Sequence, residues 1–451
     1  MIIKKNIAIF GFGTEGVSAA NFLGNNNRIS IFDDKDQESI DKLTFKKLKV
    51  KNVEFYFSGK RPQDEKFENV IRSPGVRPNH PNLEFYKKKG AKLTSATNIF
   101  FENCPAKIIG VTGTKGKGTT STLIYEIVRQ ENKNVFLAGN IGTPALEILP
   151  KLDKNSIVIL ELSSFQLTDL KFSPHIAVVL MITSEHLDWH QDQREYQQAK
   201  ESIVKFQTSR DFAVINEDFE TSKQLAKLTK AKIYYFSTHS KANGVFLENG
   251  EIISNVIGRE NLININKILL AGKHNLQNAC AAALVSKILN ISNQSISNVL
   301  STFKGLKHRL QLIKEVKGVK YYNDSYSTIP ETTIAAIEAL TGPKILILGG
   351  SSKKSDFTVL SERIVSNRKI KAIILIGKEA QRIKKSLQTA GSFRGESIEN
   401  LSNMKDIVKS AQDIAQKGDS IILSPACASF DMFANYEDRG QQFSDCVFKI
   451  K

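Results

Sequence analysis

At 451 residues, 41% hydrophobic and 24% charged, the chain is too long for one ordinary core, and two or three globular domains are expected. No apolar run is long enough to span a bilayer, and the first residues lack the apolar stretch and cleavage site of a secretory leader, so membrane insertion and export are not expected. The net charge of +17 comes from scattered lysines without an aromatic-interleaved basic patch. It reads as a solvated surface that draws small anions, not as a nucleic-acid face.

Apolar runs alternate with amphipathic stretches throughout, which predicts an α/β protein with mostly parallel sheets. Strands are expected at 7–10 and 28–32, with a helix at 14–23 between them, then further strands near 53–57 and 69–72. A second unit opens with a strand at 107–111 and continues through the alanine-rich helix at 271–289. A third follows Gly305, with strands at 319–323, 344–348 and 372–376 and helices at 331–340 and 355–366. The expected domains are 1–98, 99–305 and 306–451. The four cysteines, Cys104, Cys280, Cys427 and Cys446, form no CxxC pair, which suits a reducing compartment and argues against a disulfide framework or zinc site.

Two glycine-rich loops carry the first chemical signal. Gly11-Phe12-Gly13-Thr14-Glu15-Gly16 follows a strand and opens a helix, and Asp33 lies 20 residues beyond Gly13 at the end of the next strand. Such a turn lets the backbone approach a pyrophosphate, whose charge the helix N-terminus stabilises. Alone it means a nucleotide diphosphate, most often NAD or FAD. Ser73-Pro74-Gly75 ends a later strand and by itself reads as an ordinary turn.

The second loop, Thr112-Gly113-Thr114-Lys115-Gly116-Lys117-Gly118-Thr119-Thr120, resembles a Walker A loop between a strand and a helix at 119–131. Its N–H groups would cradle ATP phosphates, with Lys117 on the β/γ oxygens. Gly118 stands where a Ser or Thr is usual, so the Mg²⁺ hydroxyl is assigned to Thr119. Glu161 ends a strand at 156–160, where a carboxylate can hold Mg²⁺. Two nucleotide loops in separate units argue against a simple NAD-dependent oxidoreductase.

Together with Gly139-Asn140-Ile141-Gly142-Thr143-Pro144, Glu185-His186-Leu187-Asp188, Lys200, Gly272-Lys273-His274-Asn275, Lys307-His308-Arg309, Asn323-Asp324-Ser325 and Ser424-Pro425-Ala426-Cys427-Ala428-Ser429-Phe430, these loops resemble the Mur ligases along nearly the whole chain, the glutamate-adding members most closely. The resemblance implies an ATP- and Mg²⁺-dependent amide ligase with three α/β domains: a Rossmann-like N-terminal domain, a P-loop ATPase-like central domain and a Rossmann-like C-terminal domain. UDP-N-acetylmuramoyl-L-alanine and glutamate would be its substrates, and a cytoplasmic monomer is expected.

The same resemblance assigns individual roles. Gly13, Thr14, Asp33, Ser73 and Gly75 would hold the UDP part. Gly113, Thr114, Lys115, Gly116, Lys117, Gly118, Thr119, Asn278, Arg309 and Asp324 would contact ATP. Metal support falls to Thr119, Glu161, His186 and a carbamylated Lys200, and catalysis to Lys117, Asn140, His186 and Lys200. Thr328, Lys353, Ser429 and Tyr436 would receive glutamate.

Read alone, several of these residues are bland. His186 is then a satisfied core histidine, Lys200 a solvated helix lysine, Asn275 and Asn278 helix caps, Cys427 packing, and Tyr436 core. Two departures stand out. Tyr326 occupies the place of the usual lysine in Asn-Asp-Ser-Lys, which leaves L-glutamate-adding ligases as an alternative. Gly118 resembles folylpolyglutamate synthases, which lack the first loop and the Ser-Pro-Ala-Cys-Ala-Ser run. A non-catalytic nucleotide-binding regulator is the remaining reading.

Overall fold

The computed structural model describes residues 5–62, 64–183, 185, 189–270, 272–352 and 355–450, with Lys273 by its backbone alone. The described residues form three sheets, as expected of a three-domain α/β protein. The first comprises β1 (Asn6–Phe10), β2 (Arg28–Phe32), β3 (Glu54–Tyr56), β4 (Asn69–Arg72) and β5 (Lys92–Ser95), ordered β3-β2-β1-β4-β5 and parallel throughout. Near-continuous apolar runs suit strands covered on both faces. Thus Ile7 and Ile9 enter one apolar cluster while Ala8 and Phe10 enter another.

The second sheet contains β6 (Lys107–Thr112), β7 (Val135–Gly139), β8 (Ile157–Glu161), β9 (Ile176–Val179), β10 (Phe212–Asn216), β11 (Lys232–Ser237), β12 (Gly244–Glu248), β13 (Glu251–Ser254) and β14 (Glu260–Asn264). Its order is β14-β13-β12-β11-β10-β9-β6-β8-β7. The β12–β14 edge is antiparallel, an element not expected from the pattern. Residues 279–285 of the Lys273–Ile288 helix are fully buried, as befits a stretch that is apolar on every side between polar ends.

The chain divides into two compact units, Met1–Lys267 with Leu276–Ser301, and Ile268–Asn275 with Thr302–Lys451. The first unit holds both of these sheets because one apolar cluster, from Ile7 and Ile71 through Ile108 and Leu160 to Ile215, runs through them. A polar joint reinforces it. Arg72, fully buried at the end of β4, donates to both carboxylate oxygens of Asp169 at 2.8 and 2.9 Å and to the Phe165 carbonyl at 2.8 Å.

The second unit carries β15 (Gln311–Val316), β16 (Val319–Asn323), β17 (Lys344–Gly349), β18 (Ile370–Ile376), β19 (Glu396–Ile398) and β20 (Ser420–Leu423), ordered β15-β16-β20-β17-β18-β19. Only the β15–β16 pair is antiparallel. Side chains alternate between two cores, Ile345 and Ile347 on one face, Leu346 and Leu348 on the other. No helix among the described residues is long and apolar enough to cross a membrane.

Candidate active site

The first glycine loop forms one wall of a cavity of 880 Å³ in the first unit. Gly13 caps the Thr14–Leu23 helix with no side-chain bond, so the first-turn N–H groups stay available for an anion. Gly16 is required by close approach: a Cβ there would lie 1.9 Å from the Gly11 carbonyl oxygen. Gly13, Thr14, Asp33, Ser73 and Gly75 all line this cavity, so the structure gathers the whole predicted UDP set. Ser73-Pro74-Gly75 is more than a turn. The Ser73 hydroxyl donates to the Gly11 carbonyl at 3.0 Å, and Trp189 donates its indole N–H to the Gly75 carbonyl at 3.1 Å. Lys35, Lys60 and Arg77 add positive charge to the lining.

The Walker-type loop follows β6 and enters the Lys117–Arg129 helix two residues earlier than the sequence suggests. Gly116 takes a left-handed φ of +88°, and a Cβ there would meet Asn278 Oδ1 at 2.3 Å. Asn278 is therefore not a cap. It lies inside the Lys273–Ile288 helix, buried against the loop, and accepts from the Thr120 hydroxyl at 3.2 Å. Thr114 faces inward, giving its N–H to the Met181 carbonyl and joining Thr183 and Tyr196 through its hydroxyl. Lys117 Nζ donates to the carbonyls of Gly113 and Thr114, each at 3.0 Å. Lys115 pairs with Glu185 at 2.5 Å. With Thr120 engaged, Thr119 is the half-buried hydroxyl of this turn.

Glu161 ends β8, which pairs with the loop's own strand, Val111 opposite Glu161. Its carboxylate is buried and accepts from Asn140 Nδ2 at 3.0 Å. Asn140 also lines the large cavity, so the two predicted sites meet at this residue.

Lys200 corrects the bland reading. It occupies the turn between the Gln193–Gln198 and Ser202–Lys205 helices and is 1% exposed. Its Nζ reaches Gly113 O at 3.3 Å and Thr112 Oγ1 at 3.5 Å, and it stands 4.6 Å above the Tyr196 ring. Burial, then the neighbouring Lys117 charge, hold it well below the ordinary lysine range. Tyr196 and Trp189 were not singled out from the sequence. The single tryptophan of the chain beside a histidine was the only available sign.

In the second unit, Asp324 is 5% exposed and accepts from the Ser424 hydroxyl at 2.7 Å and the Leu310 N–H at 2.9 Å. Burial outweighs these bonds and pushes its carboxyl up to about 6. The Arg309 guanidinium lies 3.8 Å from the centre of the Tyr326 ring, and the Tyr326 and Tyr436 rings stand nearly perpendicular with centroids 5.2 Å apart. Ser429 is buried in the loop after β20. Behind that loop stands Arg439, fully buried and bonded to Ser325 Oγ and to the carbonyls of Ser325, Cys427 and Ala428. No sequence signal distinguished it from an ordinary helix arginine. Thr328 follows on the loop after β16, and Cys427 is packing, its thiol pushed up to about 12 by burial. His186 and Lys353 lie outside the described residues.

Comparison with known proteins agrees with this architecture. The family descriptions "Mur ligase middle domain" and "Mur ligase, glutamate ligase domain" match residues 111–286 and 308–427. UDP-N-acetylmuramoylalanine--D-glutamate ligase of Clostridium kluyveri is 36% identical over 448 residues, covering 98% of this chain and 96% of the relative. The protein of the same name from Clostridium novyi is 37% identical over 455 residues, covering 99% and 97%. Among solved structures, the UDP-N-acetylmuramate-alanine ligase MurC of Thermotoga maritima superposes with a TM-score of 0.58 at 16% identity, covering 99% of this chain and 100% of that one. MurF ligase of Thermotoga maritima in complex with ADP gives 0.55 at 16% identity, covering 98% of each. The structures share the fold, the sequence relatives align over nearly the full length of the chain at 36–37% identity, and the chain therefore belongs to the Mur ligase family.

Proposed function

We propose that this protein joins D-glutamate to UDP-N-acetylmuramoyl-L-alanine with ATP, forming ADP and phosphate, as a cytoplasmic monomer working in peptidoglycan precursor synthesis. The carrying observation is Asn140, which lines the 880 Å³ cavity while its amide is bonded to Glu161 beside the Walker-type loop. An acceptor held at one site thus ends where the phosphoryl donor begins. The domain division that goes with this reading is 1–98 for the acceptor, 99–305 for ATP and 306–451 for glutamate.

The acceptor's alanine carboxylate attacks the γ-phosphorus, the bond to the β-phosphate oxygen breaks, and ADP leaves behind an acyl phosphate. The glutamate amine then attacks the acyl carbon. Phosphate departs from the tetrahedral intermediate, and the amine's extra proton is lost to solvent or phosphate. Lys117 and the loop N–H groups stabilise the charge that grows on the phosphoryl oxygens. Arg309, Asp324 and Asn278 bind ATP, and Thr328, Lys353, Ser429 and Tyr436 receive glutamate.

Among the described residues no three His, Cys, Asp or Glu side chains cluster as an all-protein metal cage. Mg²⁺ keeps waters and phosphate oxygens and takes few carboxylates. Glu161, Thr119 and His186 would hold it, together with Lys200 once carbamylated. Among the described residues Lys200 hydrogen-bonds no carboxylate; the Glu185 charge favours its ammonium only in part, and burial favours the neutral amine that reacts with carbon dioxide. Bound Mg²⁺ supplies charge neutralisation on the transferring phosphate.

The test is phosphate release from ATP with UDP-N-acetylmuramoyl-L-alanine and each glutamate enantiomer, followed by product mass. One amide product, formed with D-glutamate and stoichiometric with phosphate, is expected. Turnover with L-glutamate alone overturns the enantiomer, and no acceptor-dependent turnover overturns the reaction.

A further inference from the structure

Three carboxylates line the large cavity: Glu15, Asp33 and Asp34. Two are engaged on both sides. Asp33 accepts from the N–H groups of Phe12 at 2.7 Å and Lys35 at 3.0 Å, and Asp34 presents both oxygens to the His80 ring, the nearer at 3.0 Å. Glu15 differs. It sits in the first turn of the Thr14–Leu23 helix, and its Oε1 accepts from Gln166 Nε2 at 2.9 Å. Among the described residues its Oε2 has no hydrogen-bond partner.

Gln166 leaves no ambiguity about which end it offers. Its own Oε1 accepts from the Ser163 N–H at 3.0 Å and lies 3.1 Å from the Ser163 hydroxyl, in a capping box around the Ser164–Leu167 helix. The amide nitrogen must therefore face Glu15, and Glu15 Oε1 must be an acceptor. Any proton on this carboxyl resides on Oε2.

Burial raises Glu15 above the usual carboxylate range. The Gln166 bond opposes that, and Glu147 on the Ala145–Ile148 helix adds to it. Arg72, at the end of β4 in the sheet beneath, is committed to Asp169. The Lys42–Lys47 helix turns its lysines to solvent. Lys35, Lys60, Arg77 and His80 line the same cavity and would meet the diphosphate's charge. A diphosphate on this helix N-terminus brings further negative charge and displaces water, and both effects favour the neutral acid.

We propose that Glu15 is a specificity-determining residue that takes up a proton when the acceptor binds and donates Oε2–H to an acceptor oxygen. The proposal rests on the reading of this cavity as the diphosphate-acceptor site. It adds a recognition device that an ionised carboxylate beside a diphosphate could not provide, because that pair would repel.

The experiment is calorimetric titration of the full chain with UDP-N-acetylmuramoyl-L-alanine, without ATP, in buffers of different ionisation enthalpy and over a range of pH. The ligand's diphosphate diester and alanine carboxylate do not titrate near neutrality, so proton uptake reports on the protein. We expect uptake of up to one proton, with affinity falling as pH rises at a slope approaching about tenfold per pH unit. Glu15→Gln should still bind, with no uptake and a flat profile, while His80→Asn should keep the uptake. Binding without uptake by the unsubstituted chain overturns the proposal and leaves the cavity assignment standing. Uptake that survives in Glu15→Gln, or vanishes in His80→Asn, also overturns it. Absence of any binding sinks the cavity assignment itself.

Discussion

Asn140 holds Glu161 twice: its side-chain amide donates to the carboxylate at 3.0 Å, and its backbone N–H donates to the same residue's carbonyl at 3.0 Å. The second bond brings the 140–143 turn against the end of β8, and the first then aims one carboxylate oxygen. In the proposed reaction, a carboxylate oriented this way keeps its remaining lone pairs for Mg²⁺.

Asn140→Ala should therefore lower turnover by about 10–100-fold, the usual cost of removing a residue that orients a metal ligand. The Mg²⁺ concentration for half-maximal rate should rise as well. An Mg²⁺ titration at saturating ATP and acceptor checks this; an unchanged midpoint would remove Asn140 from metal organisation.

Lys200 is buried against the glycine loop after β6 and, among the described residues, hydrogen-bonds no carboxylate, which is costly for an ammonium and sensible for a carbamate. Lys200→Ala should nearly abolish turnover, with partial rescue by acetate or another small carboxylate. Activity of the unsubstituted chain should fall in carbon dioxide-depleted buffer and return with bicarbonate. Full activity of the alanine variant would exclude a metal-supporting role.

Asp324 carries a pH signature. Its folded value of about 6 lies above the ordinary 3.8, so the folded chain binds this proton more tightly than the unfolded chain does. The stabilisation is complete below the unfolded value and is lost as pH rises through the folded one, amounting to about 3 kcal/mol. Asp324→Asn keeps an acceptor for Leu310 and removes the buried charge. The variant should lose activity yet unfold at equal or higher denaturant near about pH 8, with a smaller stability difference from about pH 5 than the unsubstituted chain shows. Denaturant titrations at both pH values measure this, and equal pH dependence in the two proteins would contradict it.

Tyr326 stacks on Arg309 and meets Tyr436, a position and a neighbour both tied to substrate binding in the proposed reaction. Tyr326→Lys replaces an attraction of about 0.5–1 kcal/mol with repulsion between cations. It should raise the KM for ATP and alter the ratio of rates with D- and L-glutamate, while Tyr326→Phe should do neither. If both the KM for ATP and the D/L rate ratio stay fixed in the lysine variant, Tyr326 plays no part in either site.

Much of this was legible in the residues. The Thr14–Leu23 helix and the strands Arg28–Phe32, Asn69–Arg72 and Val319–Asn323 lie where apolar periodicity and glycine punctuation put them. Both glycine loops were readable for the same reason: a glycine run between a strand and a helix specifies its geometry within a few residues. The β12–β14 hairpins were not readable, because their short polar-flanked strands carry little period of their own.

What the sequence determined by itself was therefore local: element order, the two glycine loops between strand and helix, and which side chains could do chemistry. Tertiary structure alone decided which of them lost their water and which met. Arg72 reached Asp169, Asn140 reached Glu161, Gln166 turned its amide to Glu15, and Lys200 was drawn from solvent under the ATP loop. Desolvation and pairing between residues distant along the chain depend on how sheets and helices pack, and no short stretch of sequence encodes them.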